Sequence, residues 1–118
     1  YNLCLSFEIK GLLDIPLLSK AVTRLINSHD ILRAYFSEKN GKIEVNLFEP
    51  TVDYVEWVDL SLYENINSLE INTQIDFIKN YIFNLKKPPL FKVKLIKITK
   101  DNYLFILCFH HIIIDGLS

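Results

Sequence analysis

The residues best suited to chemistry lie near the end of the sequence, where two adjacent histidines, His110 and His111, follow a long apolar run. Three isoleucines come next, and then Asp115 and Gly116. The ordinary pKa of histidine, about 6.5, lies close to neutral pH, so its imidazole can accept and return a proton under physiological conditions. An imidazole at the end of a hydrophobic strand therefore suggests a general base, and a nearby glycine lets a substrate approach the backbone.

Other kinds of site fit this motif less well. Adjacent residues on a strand point to opposite faces, so His110 and His111 are poorly placed to chelate one metal ion. The β-branched isoleucines argue against a helix that would bring His111 and Asp115 to one side. Ser118 lacks the flanking glycines of a hydrolase nucleophile and lies too close in sequence to these residues for an unstrained triad. A structural role for both histidines, as core residues with satisfied hydrogen bonds, stays open.

The sequence before the motif predicts a scaffold of the order β-α-β-β-β-α-β-β, which is an α+β or mixed α/β domain with helices covering a sheet. Strands are assigned from alternating apolar residues, helices from an apolar stripe at helical spacing, and the hairpin from its Asn-Gly pair. The predicted elements are a strand over 3–10 and a helix capped by Asp14 and running to about 29. They continue with an extended stretch over 29–36 and a strand over 43–47, joined through Asn40-Gly41, and a weaker extended stretch over 52–58. A helix from 67 or 68 to about 85 and strands over 91–98 and 103–109 complete the prediction.

Two of these predictions carry more detail. The second helix is expected to end at the prolines that follow Leu85, because proline cannot continue the hydrogen-bond ladder. A β-bulge or a change in burial is expected near Ile96 and Ile98, where the alternation changes phase. The last strand, residues 103–109, is apolar almost throughout, which is typical of a central strand buried on both faces.

Composition narrows the function classes. The chain has 118 residues, 50% of them hydrophobic, and a formal net charge of -1, so it gives no electrostatic case for binding nucleic acid or an anionic membrane surface. No apolar run is long enough to span a membrane. Cys4 and Cys108 lie in apolar strands and are interpreted as reduced core residues of a cytoplasmic protein, with a disulfide possible in principle. The richness in Ile, Asn and Lys suggests an AT-rich bacterial genome.

Three segments of the sequence resemble those of a known family. Residues 110–116, His-His-Ile-Ile-Ile-Asp-Gly, match the His-His-x-x-x-Asp-Gly signature of nonribosomal peptide synthetase condensation domains, which have the chloramphenicol acetyltransferase-like fold. Residues 28–36 are similar to the family's Arg-His-Glu-x-Leu-Arg-Thr-x-Phe segment, and residues 83–93 to its Phe-Asp-Leu and Pro-Leu-Phe/Leu-Arg-Val stretch. Residues 28–36 depart from the family pattern at Ser28, Asp30 and Ala34.

The resemblance implies a role for each motif residue. His111 would act on the α-amino group of the acceptor, either as general base or by positioning it and stabilising the charged tetrahedral intermediate. His110 would be structural, and Gly116 would let the backbone approach the thioester. Asp115 would pair with Arg33, the cation that the surrounding apolar residues already make the best upstream candidate for a buried partner.

The resemblance also implies partners. The donor and the acceptor would arrive on the phosphopantetheine arms of upstream and downstream carrier proteins, with an adenylation domain in the same polypeptide and no metal or cofactor bound directly. Residues 1–118 would be most of an N-terminal subdomain, an inactive piece on its own that exposes an apolar face. An epimerization domain, a free-standing thioester-dependent acyltransferase and a non-catalytic docking module remain alternatives.

Overall fold

The computed structural model describes residues 2–62 and 68–114. In chain order its elements are β1 (Asn2–Lys10), α1 (Ile15–Ser28), a 3₁₀ turn (Asp30–Arg33), β2 (Ala34–Lys39), β3 (Lys42–Leu47), β4 (Val55–Asp59), α2 (Ser68–Lys79), β5 (Phe91–Thr99), β6 (Asn102–His110) and α3 (His111–Ile114). The predicted order of strands and helices is confirmed, and the structure adds the 3₁₀ turn and α3.

The main sheet has four strands in the order β1-β6-β5-β4. β4 runs parallel to β5, whereas β6 runs antiparallel to both of its neighbours. β2 and β3 form a separate antiparallel hairpin. The sheet is therefore mixed, and the predicted α+β class with helices packed on a mixed sheet is confirmed. Its β5–β6 ladder shifts register between Lys97 and Thr99, next to the predicted bulge.

The core has two parts on opposite faces of the sheet, because successive side chains of a strand point to opposite sides. The α1-side cluster consists of Val22, Ile26, Leu32, Phe83, Leu90, Phe91, Val93, Phe109 and Ile113. The α2-side cluster consists of Leu60, Ile78, Ile96, Ile106 and Cys108. The central strands supply side chains to both clusters, so β6 is buried on both faces, as predicted.

Two predictions that depend on only a few adjacent residues, the cap of α1 and the hairpin turn, are confirmed. The carboxylate of Asp14 accepts a hydrogen bond of 3.0 Å from the backbone amide of Leu17, and this caps α1. Asn40 and Gly41 both have positive φ, 53° and 75°, as a two-residue hairpin turn of the mirror-image type requires.

The predicted end of α2 is wrong. The helix ends at Lys79, six residues before Leu85. Ile71, Ile75 and Ile78 belong to or pack against the α2-side cluster, whereas Phe83 and Leu85 belong to or pack against the α1-side cluster. A straight helix cannot reach both faces of a sheet. The helix therefore ends early, and the chain crosses from the α2 side of the sheet to the α1 side.

The prediction of reduced cysteines is also wrong. Cys4 of β1 stands directly opposite Cys108 of β6 in the antiparallel register, and the two are joined as a disulfide across a sequence separation of 104 residues. Cysteine spacing alone could not reveal this pairing, because it depends on which strand lies beside β1 and in which register.

The edge strand β1 leaves apolar surface in contact with solvent. Leu3, Leu5 and Phe7 share one face of this strand and are 44%, 42% and 50% exposed. Among the described residues, no helix is long and apolar enough to cross a membrane.

Candidate active site

The two histidines lie where β6 ends and α3 begins. Because β6 is antiparallel to β1 and β5, this end of β6 meets the first residues of both neighbours. Asn2 stands opposite His110 in the register, and the His110 amide donates a hydrogen bond of 2.9 Å to the carbonyl oxygen of Leu90. The motif therefore lies at one end of the central strand β6, and the segment that joins α2 to β5 borders it.

His110 is half-buried and lies against an aromatic ring. The centres of its imidazole and the Phe83 ring are 6.1 Å apart, with the planes nearly perpendicular. Its Nδ1 atom accepts a hydrogen bond of 2.9 Å from the backbone amide of Ile112. Burial lowers the pKa of His110 below its ordinary value of 6.5, and the neighbouring His111 adds to this effect. The imidazole is therefore neutral near neutral pH.

His111 is the first residue of α3, and its side chain is exposed. The two adjacent histidines therefore differ, since His110 is half-buried and His111 is exposed. The expectation that the isoleucines would oppose a helix is wrong, since residues 111–114 form a helical turn. Ile113, which is 0% exposed, belongs to the α1-side cluster, and Ile114 packs against it, so tertiary packing outweighs the weak helix preference of β-branched residues.

A cavity of about 390 Å³ opens beside His110. It is lined by Asn2, His110 and residues 79–83. The side-chain amide of Asn2 donates hydrogen bonds to the carbonyl oxygens of Lys79 and Tyr81, at 3.3 Å and 2.6 Å, and so holds the loop that forms the cavity wall. Sequence reasoning gave Asn2 no role, because its importance depends on lying opposite His110 across the ladder.

A second cavity, of about 320 Å³, shares the segment 81–83 with the first. Its wall carries an ion pair of 2.9 Å between Lys92 and Glu56, which links the neighbouring strands β5 and β4. The Lys92 ammonium also lies 4.2 Å from the centre of the Tyr81 ring. One loop therefore separates two cavities at the histidine end of the sheet.

Arg33 lies at the end of the 3₁₀ turn, and its side chain is only 14% exposed. It forms ion pairs with Asp30 and, at 3.9 Å, with Glu49. Its Nε atom is buried and has no hydrogen-bond partner among the residues that the structure describes. The predicted partner Asp115, like Gly116 and Ser118, lies outside the described residues, so the Arg33–Asp115 pair stays a prediction.

No group of three or more His, Cys, Asp or Glu residues within the described ranges could hold a metal ion. His111 is exposed where β6 ends and α3 begins, and an exposed imidazole is able to accept and return a proton.

The family is decided by a model of the condensation domain, which matches residues 1–118. The chain belongs to the condensation-domain family. Among curated proteins it is similar to bacitracin synthase 1 of Bacillus licheniformis, with 31% identity over 123 residues, and to gramicidin S synthase 2 of Aneurinibacillus migulanus, with 34% identity over 120 residues. Both alignments cover 100% of this chain but only 2% of the relative.

Two solved structures show the same fold. The first condensation domain of the calcium-dependent antibiotic synthetase superposes with a TM-score of 0.81 at 24% identity, covering 95% of this chain and 27% of that one. The X-domain from teicoplanin biosynthesis superposes with a TM-score of 0.79 at 15% identity, covering 92% of this chain and 23% of that one. The chain thus corresponds to about a quarter of these structures.

Proposed function

We propose that the protein containing this chain forms an amide bond between two thioesters held on carrier proteins, one carrying an acyl or peptidyl donor and the other an aminoacyl acceptor. The α-amino nitrogen of the acceptor attacks the donor carbonyl, the C–N bond forms, and the donor's C–S bond breaks to release a thiol. The amine loses one proton, which has to be accepted before the tetrahedral intermediate collapses.

The observation that carries this proposal is the placement of His111 in a chain of the condensation-domain family. The side chain emerges at the end of a buried central strand, on a helical turn anchored by Ile113. We assign His111 as the catalytic residue that takes up the proton of the acceptor amine or holds that amine in position. His110 and Arg33 support the site without touching the substrate.

The pairing of Arg33 with Asp115 is part of the proposal. Leu32, which precedes Arg33, and Ile113 both belong to the α1-side cluster, and Ile114 packs against it. The residues that flank Arg33 and Asp115 in sequence therefore share one core. A buried guanidinium Nε without a described partner calls for an acceptor, and a carboxylate at position 115 would supply one. Gly116 would then leave room for the thioester.

The partners follow from the same reaction. Phosphopantetheine arms of an upstream and a downstream carrier protein would deliver the substrates, and an adenylation domain of the same polypeptide would activate the acceptor. We further propose that residues 1–118 form most of the N-terminal subdomain of the domain and are inactive without the remainder. The cytoplasm stays the predicted location.

The test is His111→Ala in the full-length protein, with donor and acceptor carrier proteins loaded and the product measured by mass spectrometry. We expect condensation to fall by about 10²–10⁴-fold, the range typical of general acid–base catalysis. His29→Ala is the matched control, since His29 is an exposed histidine at the end of α1. Unchanged condensation by His111→Ala would rule out a chemical role for this residue.

The same assay distinguishes the alternatives. An epimerization domain would invert the α-carbon of a loaded substrate without joining two substrates, which chiral analysis of the released amino acid detects. A free-standing acyltransferase would accept a soluble thioester in place of a loaded carrier protein. A docking module would bind carrier protein and give no product with any of these substrates.

A further inference from the structure

The first histidine of the motif makes a hydrogen bond that defines its protonation. A backbone amide always donates, so the His110 Nδ1 atom that lies 2.9 Å from the Ile112 nitrogen must be the acceptor. In a neutral imidazole the proton then sits on Nε2. The structure therefore specifies one tautomer of His110.

This hydrogen bond has the geometry of a helix N-cap. His110 immediately precedes the first residue of α3, and its side chain accepts from the amide of the second residue, Ile112. Capping side chains accept from this amide, which has no partner within the helix. The described part of α3 is its first turn, His111–Ile114, and the first turn of a helix contains the amides that lack partners within the helix. The cap is thus one of the contacts that hold this turn.

The position of the His110 ring is itself constrained. The backbone amide of His110 is bonded to the carbonyl oxygen of Leu90, and its ring packs edge-to-face against Phe83. These contacts tie the imidazole to the segment that precedes β5. A ring held in this way can transmit the position of that segment to α3.

We propose that His110 is a positioning residue, whose Nδ1 atom caps α3 and thereby fixes the backbone from which His111 projects. The inference rests on the proposed function, because positioning has a measurable effect only if His111 acts on the substrate. Within His110, the capping role belongs to Nδ1 alone. Nε2 is not required, although His110 borders the cavity of about 390 Å³.

Two amide substitutions separate the roles of the ring nitrogens. In His110→Asn the carbonyl oxygen is bonded to Cγ, as Nδ1 is, so it can accept from the Ile112 amide. In His110→Gln the oxygen lies one bond further out, near the position of Nε2. Both variants replace the ring with an amide of similar polarity, and each serves as the matched control of the other.

The variants are compared in the full-length protein, in the condensation assay with loaded carrier proteins. We expect His110→Asn to keep kcat within about threefold of the wild type, and His110→Gln to lower it about tenfold, an effect of the size that loss of an N-cap produces. The KM for the acceptor should change in neither variant, because His110 does not contact substrate.

Four results would overturn the inference. Equal kcat values for the Asn and Gln variants would show that Nδ1 is not used selectively, and a more active Gln variant would assign the role to Nε2. A raised KM in the Asn variant would indicate a direct contact with substrate. If only the Asn variant folds, its kcat still decides, since a loss as large as that of His111→Ala contradicts a retained cap. Unchanged activity of His111→Ala would instead refute the proposed role of His111, whatever the two variants show.

Discussion

The side-chain amide of Asn2 donates a hydrogen bond of 2.6 Å to the carbonyl oxygen of Tyr81, a residue 79 positions away in sequence. The first residue of β1 in the described structure thereby holds the loop after α2, which forms one wall of the cavity beside His110. The bond links the edge strand to the segment that separates the two cavities.

We expect Asn2→Ala to loosen this loop. The substitution removes hydrogen bonds to two carbonyl oxygens that lie near solvent, so the free energy of unfolding should fall by about 1 kcal/mol. Amide hydrogen exchange in residues 79–83 should become faster. Asn80→Ala is the control, because it changes an exposed asparagine of the same loop and keeps both bonds. Equal exchange rates in the two variants would contradict a holding role for Asn2.

Packing beneath α3 should distinguish two neighbouring isoleucines. Ile113 is 0% exposed within the α1-side cluster, whereas Ile112 is 38% exposed. We expect Ile113→Ala to lower the free energy of unfolding by about 2–5 kcal/mol, as for other buried large-to-small changes. Ile112→Ala should cost less than about 1 kcal/mol. Urea denaturation of both variants measures the difference, and similar losses would show that α3 is not anchored through Ile113.

The pairing of Arg33 with Asp115 can be measured by a double-mutant cycle. Arg33→Met, Asp115→Asn and the double variant should give a coupling energy of about 1–3 kcal/mol in urea denaturation, because one partner is largely buried. The cycle of Arg33→Met with Glu49→Gln is the matched control. Glu49 is 86% exposed and 3.9 Å from the guanidinium, so its coupling should lie below about 1 kcal/mol. Equal couplings in the two cycles would remove the case for Asp115.

Asp59 should give a pH dependence at the end of β4. The hydroxyl and the backbone amide of Ser61 both donate to its Oδ1, and these bonds, with help from the Lys97 charge, lower the pKa of Asp59 below its ordinary value of 3.8. The ionised carboxylate therefore stabilises the fold above pH 3.8, and this contribution disappears as the pH falls through the lowered pKa.

Ser61→Ala tests this relationship. It should raise the pKa of Asp59 toward 3.8 in a carboxyl titration followed by NMR, and the variant should be less stable than the wild type at neutral pH. The difference should shrink as the solution is acidified below pH 3.8. Ser6→Ala, which changes an exposed serine of β1, should leave the titration of Asp59 unchanged. An unaltered pKa in Ser61→Ala would show that the hydroxyl contributes nothing.

Features decided by a few adjacent residues could be predicted from the sequence. The cap at Asp14 needs one side chain within reach of an amide three residues on, and the turn at Asn40 and Gly41 needs two residues that tolerate positive φ. The strands and helices follow from apolar periodicity in the same way. The spacing of His110, His111, Asp115 and Gly116 indicated the family together with two further segments, residues 28–36 and 83–93.

Other features required knowledge of which elements are neighbours. The disulfide between Cys4 and Cys108 depends on β1 lying beside β6 in one register, and so does the placement of Asn2 opposite His110. The early end of α2 at Lys79 depends on the chain crossing from one face of the sheet to the other. None of these relationships is present in any stretch of sequence short enough to be read locally.

The same distinction between local and tertiary information applies to the histidine site. The sequence by itself determined which side chains are available for chemistry, because residue types and spacing are local properties. These are two histidines at the end of a buried strand, with an acid and a glycine beyond them. Only the tertiary structure decided what each histidine contacts. His111 is exposed, whereas His110 is turned against Phe83 with its Nδ1 atom on the Ile112 amide, because the burial of Ile113 draws residues 111–114 into a helical turn that a local preference for extended backbone would oppose.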